Sequence, residues 1–436
     1  MPSVYFQTFG CQMNAADSDA VRDLLFRRGF TLGATHDESD LIVVNTCSVR
    51  EAAERRAKSR IAEFARGKKR RRGQRLWVIG CMAQRLGDAL AAEIPGVDLV
   101  VGAGQIGRMD EVIDAQFPAR PADGGDRPPS EIFSKTAASD FVPIMRGCDN
   151  FCAYCVVPYV RGREQSMPYD DIEAAVKKKV DAGIKEVTFL GQNVNSYSHN
   201  GIDFPELLRG MARIGGLERI RFTTSHPKDC TERLIDVMAS SRKFASHIHL
   251  PAQAGSDRVL GLMNRGYTSS SYVGLLDMIR KHIPYADITS DLLVGFPTES
   301  GAEFRETLEL AREARFTAAF MFAYSPREGT AAAAMPETID RTEKMARLSE
   351  LIDLQTGITR EIYDSAVGTE LEVLITERQR KRDRAWMGQD AGCKRVLINC
   401  DGLESGMIIK ARAVGSSGMT LLAEKKQCFM STFKTL

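Results

Sequence analysis

Cys148, Cys152 and Cys155 stand in the segment RGCDNFCAYCVVPYVRG with the spacing C-x3-C-x2-C, just after a predicted strand. Three thiolates on one short loop can hold three irons of a [4Fe–4S] cluster. Four cysteines are the usual complement, so the fourth iron is open to another ligand. Zinc is the competing reading, but structural zinc sites take four ligands, often as paired C-x2-C units, and no second pair follows here. The start, MPSVYFQTFGCQMN, lacks the basic and apolar regions of a signal peptide. The ten cysteines therefore point to metal or redox chemistry in a cytoplasmic protein rather than to disulfides. No apolar run approaches the ~18 residues needed to span a bilayer, so no membrane partner is expected.

The other chemistry-bearing cysteines are Cys11, Cys47 and Cys81, which are far apart in sequence. Each follows a predicted parallel strand, in VYFQTFGC, LIVVNTC and LWVIGC. Carboxyl ends of parallel strands share one sheet edge, where ligands bind, so these three thiols should converge on a second cluster. Three independent buried thiols are the alternative, since free cysteine is among the most buried residue types. Cys230, Cys393, Cys400 and Cys428 lack this patterning and read as packing or surface thiols.

The alternation of short apolar runs with helical stretches sets the fold class, α/β with several domains. In 1–118, strands at 4–8, 41–45, 76–80 and 97–101 and helices at 16–28, 50–65 and 84–93 predict a doubly wound parallel domain. Residues 119–139, rich in Pro, Gly, Asp and Ser, predict a linker. From 140 to 366, strands at 142–146, 186–190, 219–223, 247–250, 288–294 and 318–322 alternate with helices such as 170–182, 232–239 and 302–314. Six βα units without hairpin signals predict an open parallel (β/α)6 barrel, truncated relative to the eight-unit form, with 345–366 as a closing helix. Short β-leaning runs at 370–375, 396–398, 407–413 and 419–423 predict a small all-β barrel over 367–425, followed by a tail at 426–436.

The cysteine spacing, with Tyr154 before the last cysteine, resembles the radical S-adenosylmethionine (SAM) superfamily. From about Val4 to Glu424 the chain resembles the methylthiotransferases within it: FGCQMNAADS, NTCSVREAAE, GCMAQR, RGCDNFCAYCVVPYVRGRE, TSHPKD, HLPAQAGSDRVL, DLLVGFPTE and YSPREGT occur in the family's order. Gln12, Met13 and Asn14 after Cys11 resemble the branch that acts on N6-isopentenyladenosine beside the tRNA anticodon. The branches acting on threonylcarbamoyladenosine or on a ribosomal protein usually read differently there. The resemblance implies two [4Fe–4S] clusters, two uses of SAM and a TRAM-type RNA-binding end. It also implies a low-potential electron donor such as a flavodoxin or ferredoxin. One SAM would methylate a sulfur on the N-terminal cluster, and another would yield the radical that abstracts hydrogen from C2 of the adenine. A metal-stabilised tRNA-binding protein without SAM is the reading from a different class.

Candidate SAM contacts follow from strand ends. Gly191, Gln192 and Asn193 end the second barrel strand, at the family's methionine-contacting motif. Gln253 and Asp291 lie on later strand ends, and either could equally be a satisfied buried polar group. His226 and His249 read as hydrogen-bonded barrel histidines. Arg161 and Arg163 could contact phosphates or a SAM carboxylate. The near-cancelling charge, 59 Lys+Arg against 57 Asp+Glu, requires any RNA surface to be local. Arg378, Arg380, Lys381, Arg382 and Arg384 beside Trp386 supply charge and an aromatic face in the C-terminal module, suited to the anticodon stem-loop. The run at 68–72 (KKRRR) is a second candidate. The family's Gly-Arg-Thr near residue 388 is Gly388, Gln389 and Asp390 here, which puts RNA contacts from that loop in doubt.

Overall fold

The computed structural model describes residues 1–48, 51–68, 73–117, 138–379 and 384–425. The first unit is a five-stranded parallel sheet of β1 (Ser3–Thr8), β2 (Thr31–Leu32), β3 (Leu41–Thr46), β4 (Arg75–Gly80) and β5 (Leu99–Gly102), in the order β2-β1-β3-β4-β5. Its helices include α1 (Gln12–Arg27), α2 (Glu51–Gly67) and α3 (Cys81–Leu86). Side chains alternate across a strand, and β3 shows the result. Leu41 and Val43 enter one core with Val21 and Leu25 of α1. Ile42 and Val44 enter a second core with Ala57, Ile61 and Phe64 of α2. Both faces are covered, which makes the sheet doubly wound. The helix expected at 84–93 is instead two short ones, Cys81–Leu86 and Asp88–Glu93, because Gly87 between them takes a positive φ of 51°. The two-residue β2 is too short to show a period in sequence.

The central unit carries six parallel strands: Ser139–Pro143, Glu186–Leu190, Arg219–Phe222, His247–His249, Asp287–Val294 and Ala318–Ala323. They form two three-stranded sheets that meet at a parallel bridge between Ile220 and Phe244. The strands thus follow chain order around an open barrel. The closing helix Arg341–Ser365 lays Leu351 into the barrel core and buries an ion pair between Arg347 and Glu299 at 2.8 Å. Contrary to the hairpin-free expectation, two small antiparallel pairs occur. One joins Ser198–His199 to Ile202–Asp203. The other joins Met145–Arg146 to Gln165–Ser166 and closes the neck of the cysteine loop.

The last unit is a closed five-stranded barrel of Glu370–Arg378, Ala385–Asp390, Arg395–Asn399, Thr420–Lys425 and Ile408–Ser416. The second of these strands was not expected, since AWMGQD follows a charge run and lacks a clear alternation. Its end docks on the central barrel. Arg221 donates to the Asp390 carbonyl at 2.6 Å and to that of Gly392. Lys394 pairs with Asp287, one contact being 2.6 Å. A Cβ at Gly392 would stand 1.8 Å from Asp287 Oδ2, so only glycine permits this approach. No described helix is long and apolar enough to cross a membrane. Most of the expected linker and the whole tail lie outside the described residues.

Candidate active site

Cys11 caps the start of α1, Cys47 follows β3, and Cys81 opens α3 after β4. The order β2-β1-β3 reverses direction between β1 and β3, the crevice where open α/β sheets bind ligands. The sheet therefore delivers the three cysteines to one edge. A Cβ built on Gly10 would lie 2.7 Å from Cys47 Cβ, at φ 121°. Gly80 has φ 99°, and its Cβ would lie 2.3 Å from Asn45 Oδ1. The glycines before Cys11 and Cys81 are thus required by their crowded neighbours, whereas Cys47 follows Thr46. Cys47 and Cys81 are buried and Cys11 is exposed. Burial pushes the Cys81 thiol up to about 11, opposed by the Arg161 guanidinium, while Cys47 and Cys11 push it further up. The starts of α1 and α3 present positive dipole ends to this edge, which favours thiolates.

The compact triad is shaped by atoms far from it in sequence. Gly147 has φ 75°, and a Cβ there would meet Arg163 O at 2.0 Å. The Cys148 N–H donates to Gly162 O at 3.2 Å, and Ala153 N–H to Met263 O at 2.9 Å. Asn264 Nδ2 donates to the carbonyls of Asn150 and Phe151 at 3.1 and 3.2 Å. Arg265 is buried and donates to Cys152 Sγ at 3.2 Å, to Tyr154 Oη at 3.3 Å and to Pro251 O at 2.9 Å. Burial pushes Cys155 up to about 12, so a metal bound at this thiol would have to displace its proton. Sequence reasoning missed Arg265 entirely; its position in GLMNRGY carries no metal-site signal.

Tyr154, Cys155, Gln253 and Asp291 line one cavity of 540 Å³, closed on another side by Ala52 and Arg55 of α2. Gln253 holds a positive φ of 70° and bridges Leu292. Strain of this kind clusters at functional sites. Gly191, Gln192 and Asn193 do not line this cavity. The glycine has a packing reason, because a Cβ there would sit 2.5 Å from Met145 Cγ. Gln192 Oε1, Asn193 Oδ1, Ser225 Oγ and His226 Nε2 are all buried without a hydrogen-bond partner. Their two segments are stitched together by Val194 N–H to Thr224 O at 3.0 Å and by reciprocal bonds between Asn195 and His226. Orphaned buried polar atoms are costly, and these fit a small polar ligand such as SAM. Burial, with Arg265 and Lys228 nearby, drives His226 down to about 2, so it stays neutral. His249 bonds Thr289 at 3.0 Å and approaches Asp291 at 3.5 Å, the hydrogen-bonded barrel role expected of it.

Arg161 points away from the barrel cavity, into the N-terminal triad. Its Nη2 donates to Asn14 Oδ1 at 3.1 Å and to Asp17 Oδ2 at 3.0 Å. Arg163 lies over the Phe151 ring and pairs with Asp149 at 3.0 Å. The helix bearing Arg161, Val157–Arg161, also lays Val160 beside Cys81, Ala103 and Val156 in one small core. One cysteine of each triad, Cys81 and Cys155, thus adjoins this single short segment.

In the C-terminal barrel, Arg380, Lys381 and Arg382 lie outside the described residues. Arg384 pairs with Asp401, with Nε at 2.7 Å from Oδ1. Trp386 is partly buried against the barrel core. Gln389 and Asp390 give their carbonyls to Arg219 at 3.2 Å each, so the end of the strand Ala385–Asp390 serves domain docking. Lys68 donates to Gly96 O at 2.7 Å and pairs with Asp98. The rest of its basic run is outside the described residues.

A parallel partial barrel with a three-cysteine loop at its strand ends defines a radical SAM enzyme. The Radical SAM superfamily matches residues 142–311, and the family described as Uncharacterized protein family UPF0004 matches residues 3–102. The chain belongs to the family of tRNA-2-methylthio-N(6)-dimethylallyladenosine synthases. It is 42% identical to the member from Syntrophus aciditrophicus over 85% of this chain and 83% of that one. It is 41% identical to the member from Geobacter metallireducens over 97% and 98%. Among solved structures, the radical S-adenosylmethionine methyltransferase TsrM from Kitasatospora setae shares the fold at TM-score 0.58 and 14% identity, over 76% of this chain and 77% of that one.

Proposed function

We propose that this enzyme attaches a methylthio group to C2 of N6-isopentenyladenosine at tRNA position 37, beside the anticodon. The proposal assigns one [4Fe–4S] cluster to Cys148, Cys152 and Cys155 and a second to Cys11, Cys47 and Cys81. The observation that carries it is that Cys81 of one triad packs on the segment Val156–Arg161 that follows Cys155 of the other, with the cavity beside Cys155 walled by α2 of the N-terminal unit. A sulfur carrier and a radical generator must both reach the same carbon, and this juxtaposition brings their sites together. The relatives' name, a tRNA synthase of the 2-methylthio-N6-dimethylallyl nucleoside, supplies the substrate class.

When bound, SAM at the barrel cluster supplies the hydrogen-abstracting radical, chemistry beyond any side-chain base. The chain's own residues do the rest. Gln192, Asn193, Ser225 and His226 offer polar atoms to SAM, and Gln253 and Asp291 face the cavity beside Tyr154. An exposed loop base can be splayed out and stacked, then enter the 540 Å³ cavity. Leu293, Met321, Phe322 and Leu348 make much of that wall apolar, as an isopentenyl group requires. Basic residues around Arg378–Trp386 are assigned to the anticodon stem-loop, and a flavodoxin- or ferredoxin-class protein to electron supply. The test is a side-by-side assay on tRNA carrying isopentenyl or threonylcarbamoyl adenosine. Methylthio product is expected on the first. Product only on the second, or only on a ribosomal protein, overturns the substrate assignment.

A further inference from the structure

Arg161 belongs to the radical SAM loop by sequence and to the N-terminal triad by contact. Its side chain is 4% exposed and pairs with Asp17, whose side chain is 0% exposed. Arg146 holds the other oxygen of Asp17 at 2.8 Å. Asn14 is fixed in turn by its amide, which donates to Thr46 O at 2.9 Å and Asn45 Oδ1 at 3.0 Å. The same Asn14 Oδ1 that accepts from Arg161 also faces the Cys11 thiol at 3.4 Å. One guanidinium arm is therefore committed to Asn14 and Asp17. The other, Nη1, is buried and makes no well-aligned hydrogen bond, while the guanidinium lies within hydrogen-bonding reach of the Cys81 thiol. An arginine rarely leaves a buried donor empty, because a desolvated donor without a partner is costly.

We propose that Arg161 is a positioning residue for the N-terminal cluster: its free Nη1 donates to a sulfur of that cluster or to the Cys81 thiolate, with Asp17 holding the guanidinium in place. The proposal rests on the reading of Cys11, Cys47 and Cys81 as cluster ligands. Hydrogen bonds to cluster sulfurs and nearby positive charge favour the reduced cluster and raise its potential. Because the donor rides on the helix that follows Cys155, the cluster that carries the methylthio group is also held in register with the site of radical generation.

The test is a redox titration, followed by electron paramagnetic resonance, of the full chain carrying Cys148→Ala, Cys152→Ala and Cys155→Ala, so that only the N-terminal cluster remains. Adding Arg161→Met should shift the oxidised-to-reduced ratio at fixed potential about tenfold toward oxidised, which is 59 mV for one electron. Should that variant fail to fold, Arg161→Lys carries the test. Its single ammonium is committed to Asp17, the sulfur loses its donor, and a shift of at least about threefold is expected because lysine cannot reproduce the forked geometry. An unchanged potential in an iron-loaded Arg161 variant overturns the proposal and leaves Arg161 a strut between domains. Absence of iron from the parent protein, before any change at Arg161, would count against the two-cluster reading instead.

Discussion

Cys148, Cys152 and Cys155 ride on one loop whose shape is set by distant atoms, among them Met263, Asn264 and Arg265. Cys11, Cys47 and Cys81 instead stand at the ends of three neighbouring strands, and the sheet alone brings them together. A sheet is stiff and built from many contacts, so the dispersed triad is held by the fold. The compact triad is held by a network of single hydrogen bonds. The difference teaches where each site breaks: the first through its loop anchors, the second through backbone positions that let strands and thiols crowd.

The largest effect expected from that contrast is loss of the loop ligands. Cys148→Ala, Cys152→Ala and Cys155→Ala together should abolish 5′-deoxyadenosine formation while iron analysis still finds the N-terminal cluster. Loss of all iron would show that the dispersed site depends on the loop. Next comes Gly80→Ala, which would force a Cβ to 2.3 Å from Asn45 Oδ1 at φ 99°. A destabilisation of about 2–4 kcal/mol is expected from strain plus overpacking, read by denaturant unfolding, with loss of the N-terminal cluster and retention of the other. A smaller effect is expected for Arg265→Met, which removes the donor to Cys152 and an anchor of Pro251. Deoxyadenosine formation should fall about tenfold, the weight of one charge-assisted hydrogen bond, without loss of the fold. Unaltered cleavage would detach Arg265 from the cluster.

The effect least tied to the chemistry lies outside both triads, at the docked C-terminal barrel. Burial pushes Asp390 up to about 6, from an ordinary value of 3.8. A carboxyl raised in this way binds its proton more tightly when folded. Its stabilising contribution is present below the ordinary value and is lost as pH rises through about 6. Asp390→Asn should therefore flatten the fall in stability between those values and leave the protein on the order of 2 kcal/mol more stable at neutral pH. Thermal unfolding across that range checks the sign.

Much of this was legible in sequence, for definite reasons. The six barrel strands are short apolar runs that alternate with helical stretches, and Glu186–Leu190 falls where expected. The compact triad is a local spacing. The dispersed triad could be found only by tying each cysteine to a strand end, and the glycines before Cys11, Cys81 and Cys148 were an unused sign of the same crowding. What stayed hidden are partnerships between distant polar residues. Nothing local marks Arg265 as a neighbour of Cys152, or turns Arg161 away from SAM and toward Asp17. The docking of Asp390 and Gly392 on Arg221 and Asp287 likewise depends on how two finished domains meet.

The division of labour between the triads is tested most directly by Cys47→Ala in the full chain, reconstituted anaerobically and supplied with SAM, a strong reductant and isopentenyl-bearing tRNA. The account predicts that 5′-deoxyadenosine still forms while no methylthio nucleoside appears. Loss of deoxyadenosine in this folded variant, or a methylthio product despite the missing ligand, would contradict it.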